Sequence, residues 1–89
     1  MLNKQNLQKA KDRISYRIYE IRTKDPDNNP LFGYGDSERD YDYACRVIDF
    51  FLNIEHYILS NIAVKDRYDD YLDLFGDILK EEGIYEQKI

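Results

Sequence analysis

The sequence predicts an all-α fold: a small three-helix domain with a long central helix, assembled as an oligomer. Three observations carry this. Apolar residues recur at three- and four-residue spacing in three separate stretches. No stretch alternates apolar and polar residues as a half-buried strand does. The one clear loop is a run of Pro, Gly, Asn and Asp at 24–36. The 89 residues suit a single domain, 1–89, and so small a core is commonly supplemented by association.

The first helix is expected over about 3–23. Leu7, Ala10, Ile14, Ile18 and Ile21 give it a narrow apolar seam. Lys9, Asp12, Arg13, Tyr16, Tyr19 and Glu20 lie on the opposite face, with Tyr16 pointing almost directly away from the seam. The loop follows. Pro26 and Pro30 restrict the residues before them, and Leu31, Phe32 and Tyr34 are expected to pin it to the helices. Gly33-Tyr34-Gly35 lacks the full glycine pattern and the preceding strand of a phosphate cradle.

The central helix is expected over 37–62, capped by Asp36 or Ser37. Ala44, Val47, Ile48, Phe51, Ile54, Ile58 and Ile62 share one side, flanked by Tyr41, Cys45, Leu52 and Leu59 and by Tyr43, Phe50 and Tyr57. Only Asp42, Arg46, Asp49, Asn53, His56 and Ser60 form a polar stripe. Two shorter helices leave the Tyr43, Phe50 and Tyr57 side uncovered, and that predicts self-association. Glu55 falls inside the apolar arc, so a buried carboxylate with a basic or hydroxyl partner is expected. The third helix is expected over 66–82, capped by Asp66, with Tyr68, Tyr71, Leu72, Phe75, Ile78 and Leu79 facing inward. Gly76 suggests close helix approach, and Gly83 followed by Ile84 fits a helix stop. The sequence KDR followed by Tyr occurs at Lys11–Tyr16 and again, with a one-residue offset, from Lys65 to Tyr71; nothing else repeats, so the recurrence reads as coincidence.

Charge is distributed unevenly. Residues 1–24 carry seven basic and two acidic side chains, net +5; the rest carry six basic and sixteen acidic, net −10, giving −5 in total. Such asymmetry points to an electrostatic partner. The negative total disfavours direct nucleic-acid binding. One Cys excludes an internal disulfide and a Cys-based zinc site. The absence of a signal peptide and of a membrane-spanning run suggests a cytoplasmic protein, in the host cytoplasm if phage-encoded. Abundant Tyr, Ile, Asn, Lys and Asp without Trp suits an AT-rich genome, as many phages have.

No catalytic, cofactor-binding or metal-binding constellation is evident. His56 and Cys45 are three helical turns apart, about 16 Å, too far to pair within one helix. Asp69, Asp73 and Asp77 form a row that could hold a divalent ion loosely, but a metal-dependent nucleotide hydrolase needs acidic motifs on two helices. The sequence therefore points to a non-catalytic binding protein, a phage- or mobile-element-type inhibitor (counter-defence or immunity protein) acting on a host or rival protein. In size, helicity and one-sided acidity it is similar in type to small phage inhibitors and bacteriocin immunity proteins. An alternative is an oligomeric sponge for an anionic nucleotide messenger, such as a cyclic dinucleotide, held by the basic, Tyr-bearing first helix. A third reading is an acidic DNA mimic. The candidate ligand or partner residues are Lys9, Arg13, Tyr16 and Arg22, and the candidate acidic partner face is Asp69, Asp70, Asp73 and Asp77.

Overall fold

The computed structural model describes residues 4–24, 27, 30–35 and 37–85. It is all-α: α1 spans Lys4–Lys24, α2 spans Asp40–Leu52 and α3 spans Ile62–Glu81, with one 3-10 turn at Ile54–His56 between the last two. No helix among the described residues is long and apolar enough to cross a membrane.

α1 forms as its seam requires. Ala10, Ile14 and Ile18 are fully buried and Leu7 and Ile21 pack at the margin, chiefly against α2. α3 buries Tyr71, Phe75, Ile78 and Leu79. It stops as Gly83 predicts. Gly83 takes φ 75°, its N–H donates to the Lys80 carbonyl at 3.2 Å, and the Ile84 N–H donates to the Leu79 carbonyl at 2.8 Å. These two bonds satisfy carbonyls that a helix end leaves open.

The central helix departs from the expectation. It does not run from 37 to 62 but ends at Leu52. Asn53 turns out of helical geometry, at φ −113° and ψ 24°, and its side-chain amide donates to the Asp49 carbonyl at 2.9 Å. Asn61, not Asp66, caps α3: its side-chain oxygen accepts from the Ala63 and Val64 N–H groups at 3.0 and 3.4 Å. Asp66 lies inside the helix. Asparagine competes for backbone bonds better outside a helix than within it, so two of them eight residues apart in sequence outweigh the four-residue spacing of Ile54, Ile58 and Ile62. The N-terminal cap of α2 is Arg39, without a side-chain bond, rather than Ser37; Asp36 lies outside the described residues.

The break changes what is covered. α3 crosses the side of α2 that the sequence leaves bare, so Tyr43 and Phe50 are 0% and 4% exposed. Tyr71 meets both rings edge-on, with centroids at 6.1 and 5.5 Å. The bare side that motivated self-association is therefore largely filled from within the chain, and of its three rings only Tyr57 stays exposed. Glu55 is exposed in the 3-10 turn, which corrects the expected buried carboxylate. Glu55→Gln should leave the melting temperature unchanged.

Gly76 does not mark a close approach, since a Cβ built there meets nothing within 4 Å. A helix-interior glycine costs about 1 kcal/mol relative to alanine. Gly76→Ala is expected to stabilise by about that amount, raising the melting temperature by about 4–8 °C for a domain of this size. Thermal denaturation checks it, and a loss of stability would show that the site is tighter than it looks.

Candidate functional site

Of the four predicted residues of α1, Arg13 and Arg22 are engaged by carboxylates of the chain itself. Arg13 donates to Glu81 at 2.8 Å and to Glu82 at 3.2 Å. Arg17 forms a double bond pair with Asp77, at 3.2 and 3.0 Å, and donates to the Leu74 carbonyl. Arg22 holds Asp40 through Nε and Nη2, at 2.8 and 3.0 Å, and its guanidinium lies 5.1 Å from the Tyr19 ring centre. The hydrogen bond to Glu81 raises the Arg13 pKa further. Two of the α1 arginines, Arg13 and Arg17, thus dock on the acidic end of α3 in the same chain, and Arg22 docks on the start of α2. Tyr16 remains 64% exposed, beside Tyr19, at an open hollow of about 340 Å³ bordered by Arg13, Arg17 and Ile78. Lys9 is exposed and meets no carboxylate among the described residues.

The acidic face is similarly divided. Asp69 pairs with Lys65 one turn away, Asp77 pairs with Arg17, Asp73 is exposed, and Asp70 borders a hollow under Pro30, Leu31, Phe32 and Gly33.

The Arg22–Asp40 pair has a pH consequence. Hydrogen bonds from Arg22, and secondarily from the Tyr34 hydroxyl, hold the Asp40 pKa below its ordinary value of 3.8, against the opposing cost of burial. A depressed carboxylate contributes stability above its unfolded value and loses it as pH falls through the folded value. Acid unfolding should therefore steepen below pH 3.8, and Asp40→Asn should flatten that limb. An unchanged acid limb in the variant would place the sensitivity elsewhere.

Two features were not picked out as sites by sequence reasoning. The first is the apex between α2 and α3. Leu52, Tyr57, Ile58, Leu59 and Ile62 are all exposed, Ile58 and Ile62 at 70% and 79%. They lie close together in the chain, within and immediately beside the segment that Asn53 and Asn61 bound, while Ile54 of that segment packs against the core.

The second is a cavity of about 160 Å³ bordered by Arg46, Phe50, Tyr57, Arg67 and Tyr71 and closed by Phe32–Gly33. Gly33, at φ 69°, turns its carbonyl to accept from Arg46 Nη2 at 2.9 Å; the same nitrogen meets Glu38 at 3.0 Å. The Arg46 guanidinium lies 4.7 Å from the Tyr43 ring centre. Tyr43 donates its hydroxyl proton to the Phe32 carbonyl, so the 3.0 Å contact between Tyr43 and Tyr71 is donated by Tyr71. Burial pushes the Tyr43 hydroxyl pKa well up. Arg46 reads in sequence as one residue of a polar stripe. Arg67 and Tyr71 belong to the second KDR stretch, one turn apart on one face, which was the available signal.

No protein-family model, curated protein or solved structure matches this chain.

Proposed function

We propose that this chain is a non-catalytic binding protein of the blocking type, which docks the apolar apex between α2 and α3 on another protein. The carrying observation is the exposure of Ile58 and Ile62 amid Leu52, Tyr57 and Leu59. Monomeric proteins rarely leave such residues clustered in water, and clusters of this kind mark contact surfaces. Apolar and aromatic anchors supply most of the binding energy in protein interfaces. Where the occupant is a second copy, the apex also supplies the oligomer.

The sponge reading, with a nucleotide on α1, draws less support, because Arg13 and Arg17 are already neutralised by Glu81, Glu82 and Asp77. A two-hybrid screen with paired variants separates the surfaces. Partners captured by the parent chain should be lost by Ile58→Ser/Ile62→Ser and kept by Lys9→Ser/Tyr16→Ala. The reverse pattern would move the working surface to α1.

A further inference from the structure

Among the six arginines, four are matched to acids: Arg13, Arg17, Arg22 and Arg46 each meet a carboxylate within 3.2 Å. Arg39 stands exposed at the start of α2. Arg67 differs from all of these. It is half-buried in the second turn of α3 and borders the 160 Å³ cavity. It meets no carboxylate among the described residues, and its Nε is the one buried side-chain polar atom among them without a hydrogen-bond partner. A guanidinium carries five donors and is charged at every accessible pH. Leaving such a donor buried and unmet costs more than a typical hydrogen bond returns.

Among the described residues no carboxylate fills the gap. Glu38 is held by Arg46, and Asp70, three residues on from Arg67, makes no ion pair with it and borders the neighbouring hollow. Arg67 therefore brings to the cavity wall a guanidinium charge that no described carboxylate offsets. The rest of the cavity describes what an oxyanion held there would be attached to. Phe50 and Tyr57 stand with ring centres 4.7 Å apart, and Phe50 meets Tyr71 edge-on. An apolar cavity of about 150 Å³ is enough to hold a benzene ring. Arg46 borders the same cavity and adds a second guanidinium, whose Nη2 is the atom bonded to the Gly33 carbonyl and Glu38 among the described residues.

We propose that the cavity between Arg46 and Arg67 binds a small aromatic oxyanion, an aryl phosphate or aryl carboxylate. Arg67 meets the oxyanion and the ring lies among Phe50, Tyr57 and Tyr71. The site is independent of the apex reading, although Tyr57 borders both.

The Arg67 Nε–H resonance in a nitrogen-edited NMR spectrum reports the contact directly. Phenyl phosphate and benzoate, titrated separately, distinguish the two head groups, and the amide of acetyl-phosphotyrosine distinguishes a peptide-borne ligand from a free one. At least one of the three should move the Nε–H and Gly33 N–H signals saturably. Inorganic phosphate and neutral benzyl alcohol should bind at least about 10-fold more weakly. Arg67→Gln should abolish the response while the rest of the spectrum stays folded. Arg67→Lys keeps the charge without the planar fork and should weaken binding, which serves if the glutamine variant does not fold. Ile58→Ser/Ile62→Ser should bind as the parent does. The proposal is overturned if none of the three aryl anions gives a saturable shift, if inorganic phosphate binds equally well, or if both Arg67 variants retain the affinity.

Discussion

Phe75→Ala is expected to destabilise the fold by about 3–5 kcal/mol, the cost of removing a fully buried aromatic and leaving the space unfilled. Phe75 is 0% exposed on α3 and stacks at a tilt on Tyr71, with ring centres 6.2 Å apart. It lies among core residues drawn from all three helices, so its neighbours are fixed from several sides and cannot readily close the gap. Domains of this kind are stable by only about 5–15 kcal/mol in total. The variant should therefore be largely unfolded in mild urea, and equilibrium denaturation followed by circular dichroism measures it. Phe32→Ala, at an exposed ring, serves as the control and should cost much less. Equal effects at the two positions would mean that α3 does not pack as described.

Tyr43→Phe removes one oxygen, yet should cost about 1–3 kcal/mol, because it strands buried partners. The Tyr43 hydroxyl joins the Phe32 carbonyl in the loop to the Tyr71 hydroxyl on α3. Without it the Phe32 carbonyl loses its match at a part-buried position and the Tyr71 hydroxyl loses its match at a buried one. The loop around Gly33 should loosen as well, visible as faster amide exchange at residues 32–35. Alkaline stability points the same way. Burial raises the Tyr34 and Tyr68 hydroxyls to about 12 and Tyr43 further, against an ordinary 10.0. A hydroxyl kept neutral in the fold stabilises fully below its unfolded pKa and stops doing so as pH rises through its folded value. The parent should lose stability from pH 10 upward, and Tyr43→Phe should lose it less steeply. A variant as stable as the parent at neutral pH, with the same alkaline slope, would remove Tyr43 from this role.

The seam of α1, the inner face of α3 and the Gly83 stop are all legible in the sequence, because local propensity and apolar spacing agree there. The break at Asn53 is not. Ile54, Ile58 and Ile62 satisfy helical spacing as well as Val47 and Phe51 do, and spacing alone does not say whether a partner covers a residue. The asparagines decided it, through bonds to backbone a few residues away. On the candidate surfaces, the exposure of Tyr16 follows from its position opposite the seam. The neutralisation of Arg13 does not, since Glu82 is 69 residues away in sequence, with Glu81 beside it, and only folding brings them together. The same holds for the Arg46–Arg67 cavity, whose walls come from the loop, α2, the apex and α3.

The exposed apex is the claim on which the proposed function stands, and isoleucine methyl groups test it most directly. A soluble paramagnetic agent broadens methyl resonances that meet solvent. In dilute solution, where light scattering shows a single chain, Ile58 and Ile62 should be broadened strongly, while Ile14, Ile18, Ile48 and Ile78 should be spared. Adding a captured partner, or raising the concentration until copies associate, should then shield Ile58 and Ile62 selectively. Protection of these two methyls in the isolated chain, at the level of Ile48, would contradict the exposed apex and restore the continuous central helix.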